Sequence, residues 1–315
     1  MKKTLRIIGF LILLVVIIAG TIAAKINFSP IASYDTPLPE FTLKSDSSTV
    51  LRGKAIALTL CKGCHGPESD QLTGSEMVDI PMFGKIYAAN ITNHPENGKL
   101  AQYSDQELVR LLRTGVKKDG QYIPPYMAKL PLLSDNDMNA LISFLRSDDP
   151  MLAASGIKQP ACKPSFLTKF LCTVAMKPLP LPDKVIPDPD KSDKIAFGEY
   201  VADGLASCYP CHSADFKTMD DLVPTNSVGY YGGGNVMMNK KGETVLTPNI
   251  TMDEETGIGT WTEDEFVAAV RFGTGKDGNN LAYPMLPHNH LSDEEVRAIW
   301  SYLQSIPKIS NKVGS

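Results

Sequence analysis

The chain has 315 residues, 43% of them hydrophobic, which suffices for about two buried cores with accessory segments. Its 31 basic and 35 acidic residues leave a formal net charge of −4, a balance that disfavours a nucleic-acid partner. With only six Cys and five His, any pattern built from both residue types carries information.

At the N-terminus, Lys2, Lys3 and Arg6 precede an uncharged stretch of 18 residues, Ile7 to Ala24. As a helix it spans about 27 Å, near the length that crosses a bilayer. The leading positive charges hold the N-terminus in the cytoplasm and place the rest on the periplasmic side. A cleaved signal peptide competes, with Ala23 and Ala24 as a cleavage site, but signal h-regions are shorter, about 7–15 residues. Residues 1–27 are therefore expected to be a single-pass transmembrane anchor in the cell membrane. Residues 28–48, containing Pro and Ser, read as a tether. Without Lys2, Lys3, Arg6 and Lys25 the exported part has 27 basic and 35 acidic residues.

A helical segment, RGKAIALTL, then runs into Cys61-Lys-Gly-Cys64-His65, and a second, FGEYVADGLAS, runs into Cys208-Tyr-Pro-Cys211-His212. Cys-x-x-Cys-His is the attachment signal for c-type haem: the thiols add to the vinyl groups and the His becomes the proximal iron ligand. A pair of redox Cys-x-x-Cys motifs or half zinc sites is the competing reading. The βαβ pattern of a thioredoxin-like fold does not surround either motif. Two covalent haem c groups are expected. The two remaining cysteines, Cys162 and Cys172, lie ten positions apart. In an oxidising compartment they are expected to form a disulfide, closing a loop worth roughly 3 kcal/mol or less.

The motifs belong to a long-period duplication, residues 49–150 and 193–310, joined by a Pro-rich connector, 151–192, that reads as extended and semi-rigid. Each copy contains Asn-Ile-Thr, at 90–92 and 249–251. Capping boxes follow at Ser104–Glu107 and Thr262–Glu265, and again at Ser134–Asp137 and Ser292–Glu295. Gly115 and Gly273 end the first helix of each pair. From Ser104 and Thr262 onward the copies align without a gap at an offset of 158. Several helices per copy and few strand signals make the fold class all-α.

The duplication also selects sixth ligands. Met127 and Met285 each stand seven residues before the last capping box, after a Pro-containing loop. No other Met in the aligned region recurs. The expected iron ligands are His65 with Met127 and His212 with Met285, and Met ligation raises the reduction potential. Buried Met as core filler is the plainer alternative. His288 and His290 compete in the second copy without support from the first. His94 is expected in solvent. Arg113 and Arg271 either meet haem propionates or are exposed helix charges. Tyr122, Tyr126, Tyr283 and Trp300 either line the haem pockets or pack the core.

With both haem motifs, both Met loops and both Asn-Ile-Thr segments in view, the chain resembles a tandem class I cytochrome c over about residues 49–305. The second copy, from TPNITMDEETGIGTW onward, is similar to the cytochrome c subunits of membrane-bound alcohol and sugar-acid dehydrogenases. That resemblance implies a dehydrogenase partner. The chain departs from those subunits in carrying two haem motifs rather than three, and an N-terminal helix in place of a C-terminal membrane attachment.

The expected function is electron transfer between redox partners on the periplasmic side, with no catalytic residue of its own. The partners are a dehydrogenase, a soluble cytochrome or an oxidase. Residues 45–150 hold 11 basic and 13 acidic residues, whereas 193–310 hold 8 and 17, so the second copy is the expected dock for a basic partner. A dihaem peroxidase is the alternative, requiring one iron with an open position; the paired Met loops argue against it. A sensor would need an output module, and the cytoplasmic part is too short to be one.

Overall fold

The computed structural model describes residues 2–239 and 241–313. The protein is mostly helical, and its first element, α1 (Lys2–Phe28), packs against α6 (Phe166–Val174) near its C-terminal end. From Lys3 to Phe28 this helix is long and apolar enough to cross a membrane. Its side chains are exposed except Ala23 and Ile26, three residues apart, which are half-buried. A helix apolar on every side and largely unburied by protein has the length and composition of a membrane span.

Two helix crossings organise the remainder. In one, α2 (Ser47–Leu60), capped by Asp46, crosses α5 (Asp135–Leu145). Gly53 sits at the contact, where a Cβ would stand 1.8 Å from the Ala140 carbonyl oxygen. In the other, α7 (Lys194–Glu199) runs through a π-turn at Tyr200–Leu205 and crosses α10 (Asp293–Ser305). There a Cβ on Gly198 would stand 2.0 Å from the Ala298 carbonyl oxygen. Only glycine lets these backbones approach so closely.

Beside the crossings lie α4 (Asp105–Thr114) and α9 (Glu263–Phe272). Reciprocal capping boxes open both, and left-handed Gly115 and Gly273 close them, at φ 79° and 70°. Ser292 also forms a full box. Ser134 forms only half of one: it accepts from the Asp137 N–H, but Asp137 does not reach back. That shorter carboxylate is held by Arg52 at 2.7 Å through both oxygens and by the Tyr200 hydroxyl at 2.6 Å. Arg52 also reaches Glu295 at 2.5 Å, so one guanidinium ties the start of α5 to the start of α10. The apolar core is continuous across this link, from Leu133 and Leu141 to Leu205 and Val296.

The tether and connector lie on the protein rather than free of it. Tyr34 donates to the Gly120 carbonyl at 2.9 Å, and Lys44 to Asn139 at 2.9 Å. Leu72 and Asn93 donate to the Met151 and Leu152 carbonyls. Strand β1 (Gly84–Lys85) pairs with β2 (Lys163–Pro164), and α6 (Phe166–Val174) follows directly. A second short hairpin, β3 (Val236–Met238) with β4 (Thr244–Leu246), completes the fold.

The expected disulfide is absent. Cys162 and Cys172 are separate thiols. The Cys162 sulfur accepts from the Tyr87 N–H at 3.3 Å, while Cys172 lies on the inner face of α6 with Ile31 and Tyr122. The intervening strand and helix turn the two side chains to different neighbours, against the expectation from spacing alone.

Candidate functional site

Each Cys-x-x-Cys-His motif forms one short helical turn, α3 (Lys62–His65) and α8 (Tyr209–His212). The His N–H donates to the carbonyl of the first Cys, at 2.9 Å in one and 3.1 Å in the other. The turn gathers both thiols and the imidazole within a single step of helix.

What orients the imidazoles is the same in both places. His65 Nδ1 meets the Ala89 carbonyl at 2.7 Å, and His212 Nδ1 meets the Pro248 carbonyl at 3.0 Å. A carbonyl only accepts, so Nδ1 carries the proton and the Nε2 lone pair is left for a metal. Ala89 and Pro248 each precede an Asn-Ile-Thr segment. Asn90 and Asn249 accept from the N–H of Thr92 and Thr251 at 2.9 Å in both. Their amides donate outward, Asn90 to the Ser155 and Ile157 carbonyls and Asn249 to the Ile309 carbonyl. Further glycine contacts recur: the Gly74 N–H donates to the His65 carbonyl at 2.6 Å, and the Gly233 N–H to the His212 carbonyl at 2.7 Å. The triplet was visible in the sequence; its task, fixing the carbonyl that fixes the histidine, was not.

Burial disfavours the charged form of both imidazoles and keeps them neutral. It also pushes the Cys61 and Cys208 thiols up to about 12, and Cys64 and Cys211 up to about 11. Asp79 contributes to the last two alike, so one carboxylate faces both motifs. Asp79 also accepts from the Tyr283 hydroxyl at 2.8 Å. Thus Tyr283 reaches across to the other copy, a role absent from its sequence reading.

Met127 and Met285 are half-buried in matching turns. Their N–H groups donate to the Pro124 and Ala282 carbonyls at 3.2 Å and 3.1 Å. Past the turns, Leu130 donates to Leu112 at 2.7 Å and His288 to Val270 at 2.8 Å, again offset by 158. Burial, and then the nearby His212 and His290, disfavour the charged form of His288. His290 is exposed. His94 is half-buried rather than free in solvent, its Nδ1 accepting from the Asn97 N–H at 3.1 Å.

Neither aligned arginine is an exposed helix charge. Arg113 is only 2% exposed and donates to the Leu130, Pro131 and Leu133 carbonyls and to Asp135. It braces the chain between the Met127 turn and α5. Arg271 keeps the equivalent acid pair, to Asp293 at 2.8 Å, and stacks near Phe272. Tyr122 and Trp300 are buried in apolar company, the latter against Phe266. Tyr126 packs edge-on against Phe83. Lys129 was overlooked. Its buried Nζ lies 5.1 Å over the Tyr122 ring and has no hydrogen-bond partner among the described residues. Burial pulls its pKa down to about 7.

This donor set fits haem c: paired thiols, a neutral histidine with Nε2 free, and apolar surroundings. The comparisons agree. Residues 50–148 match the cytochrome c family. Over 281 residues the chain is 29% identical to the cytochrome c subunit of the quinone alcohol dehydrogenase of Gluconobacter oxydans, covering 84% of this chain and 56% of that one. It is 26% identical to the fructose dehydrogenase cytochrome subunit of Gluconobacter japonicus, covering 82% and 53%. It is also 26% identical to the gluconate 2-dehydrogenase cytochrome c subunit of Pantoea cypripedii, covering 84% and 60%. The chain therefore spans somewhat more than half the length of these relatives.

Proposed function

We propose that this chain, a c-type cytochrome and electron carrier with a cytochrome c domain at residues 50–148, is a membrane-anchored dihaem protein that passes electrons between redox partners on the periplasmic side. The observation that carries this reading is the duplicated imidazole clamp, His65 to Ala89 and His212 to Pro248. A single clamp would support one haem; its recurrence, with the same glycine and Asn-Ile-Thr contacts, supports a second in residues 193–310. In this reading the chain has two tandem class I cytochrome c domains, 49–150 and 193–310, behind the anchor, the tether and the connector at 151–192.

Bound at these motifs, haem supplies a one-electron iron couple. The protein's part is to hold and tune it. Cys61 and Cys64 would anchor one haem, Cys208 and Cys211 the other. His65 and His212 would offer Nε2 to iron, their ring rotation set by the carbonyl partners. Met127 and Met285, in matching turns, would supply a thioether ligand each. Lys129, whose buried Nζ has no acceptor among the described residues, would gain one in a haem propionate, which would also favour its charged form. The relatives' names make a dehydrogenase the favoured electron donor, and nothing in them favours the peroxidase alternative.

The test is absorption and EPR spectroscopy of the purified chain, oxidised and reduced, with carbon monoxide added. Two low-spin haems per chain that refuse carbon monoxide are expected. One haem per chain ends the dihaem assignment; a high-spin or carbon-monoxide-binding haem removes one of the Met ligands. Electron transfer to a basic acceptor should slow with added salt if the acidic second region docks it, and a salt-independent rate excludes that dock.

A further inference from the structure

The nine-residue helix α6 is the element that neither haem site employs. Thr168 and Cys172 face inward and are buried. On the opposite side Phe166, Leu167, Phe170 and Val174 remain 44%, 46%, 39% and 57% exposed. At about 100° per residue these four fall within one arc of roughly 100° on the helix surface. Phe166 and Phe170 stack on each other in that arc, ring centroids 6.2 Å apart. A patch of two Phe, a Leu and a Val on a short helix is costly to leave in water.

Its position tells what covers it. α6 packs against α1. Lys169 Nζ donates to the Asn27 carbonyl at 2.5 Å, at the very end of the apolar helix. Phe28, next in line, is 84% exposed. If α1 crosses a bilayer, its last turn lies at the lipid–water boundary and α6 lies there too. Charge supports the same surface: Lys163 precedes α6, Lys169 lies on it and Lys177 reaches its last carbonyls, with no Asp or Glu anywhere in residues 151–182 of a chain that is acidic overall. Lysines attract anionic headgroups, and an amphipathic helix with an apolar arc lies flat in the interface.

We propose that α6 is an interfacial helix, seated on the anionic lipid surface beside α1 with Phe166, Leu167, Phe170 and Val174 in the acyl boundary. It rests on the reading of α1 as a transmembrane anchor. A lone spanning helix can still turn about its own axis; a second lipid contact fixes which face of the haem regions looks along the membrane. The helix thereby sets the orientation in which electrons enter and leave.

The experiment places the photoreactive residue p-benzoylphenylalanine at Phe170, Leu13 or Phe272 of the full chain, in vesicles containing phosphatidylglycerol. After irradiation, lipid adducts are identified by mass spectrometry. Acyl-chain adducts at Leu13 and Phe170, and none at the exposed Phe272 in α9, are expected. Adducts at Leu13 alone overturn the interfacial helix and leave the anchor standing. None at Leu13 ends the anchor reading itself. Replacing phosphatidylglycerol by phosphatidylcholine should diminish the Phe170 adduct and leave the Leu13 adduct unchanged; equal Phe170 yields in both lipids overturn the part assigned to the lysines.

Discussion

The stretches around His65 and His212 share their innermost contacts and differ in the buried charges that brace them. In both, the imidazole meets a carbonyl just ahead of an Asn-Ile-Thr turn, and a glycine N–H satisfies the histidine carbonyl. Around the first, Arg113 is buried on three carbonyls and an acid. Around the second, Arg271 makes one acid pair at the surface, while a buried acid, Asp203, takes hydrogen bonds from Tyr230 and Tyr231. The repeated contacts are those an axial histidine needs. The divergent ones set stiffness and local charge, where two haems in one chain would be tuned apart.

The largest effect should come from what the two regions share. Gly53→Ala or Gly198→Ala drives a Cβ into the Ala140 or Ala298 carbonyl. Each should cost about 3 kcal/mol or more, since an overpacked helix crossing must spread. Thermal unfolding and haem content of both variants check this; a shift in melting temperature under a few degrees in either would show that the crossing tolerates the methyl.

The arginine contrast comes next. Arg113→Ala strands three carbonyl acceptors in a buried site and should cost about 3 kcal/mol, whereas Arg271→Ala loses a half-exposed pair worth about 1 kcal/mol or less. Denaturant titrations of the two variants measure the difference, and equal losses would erase the distinction drawn between the two braces. Arg52→Met sits between them in size. It removes the link from Asp137 to Glu295, two carboxylates that are largely buried, and should cost about 2 kcal/mol. Its unfolding should also become less cooperative, two transitions replacing one, if Arg52 holds the two crossings together.

Much of this site could be read from the chain because its chemistry demands fixed spacing. Cys61, Cys64 and His65 must share one helical turn, and the capping residues at 104, 262 and 292 announce helices wherever they occur. The Ser134 cap is the instructive partial exception: the local pattern was right, but a distant Arg52 took the carboxylate that would have closed the box. Long-range partners explain the other departures too. Arg113 could be placed near the end of a helix, yet three of its four acceptors are backbone carbonyls, which every residue type carries. The disulfide expected from Cys162 and Cys172 is not formed: one sulfur meets the Tyr87 backbone and the other packs with Ile31 and Tyr122, neighbours that spacing does not reveal. Asp79 with Tyr283 pairs residues from different copies, and nothing local marks either one.

The smallest effect is confined to the second region and depends on pH. Burial, only partly offset by the Tyr230 and Tyr231 hydroxyls, raises the Asp203 pKa from 3.8 to about 6. A carboxyl whose folded pKa lies above its unfolded value favours the folded state when protonated. Its contribution is therefore complete below about pH 4 and is lost as pH rises through 6. Between pH 7 and pH 5 the native state should gain about 1 kcal/mol from this group. Asp203→Asn should flatten that part of the stability curve, because the amide keeps an acceptor for one tyrosine but cannot titrate. Leu58, the residue standing five after the crossing glycine in the first region, as Asp203 stands in the second, carries no charge. A stability curve measured on wild type and Asp203→Asn from pH 4.5 to 7.5 isolates the term. Parallel curves would show that the tyrosine pair, rather than desolvation, governs the acid, and the electrostatic contrast between the two regions would then rest on surface charge alone.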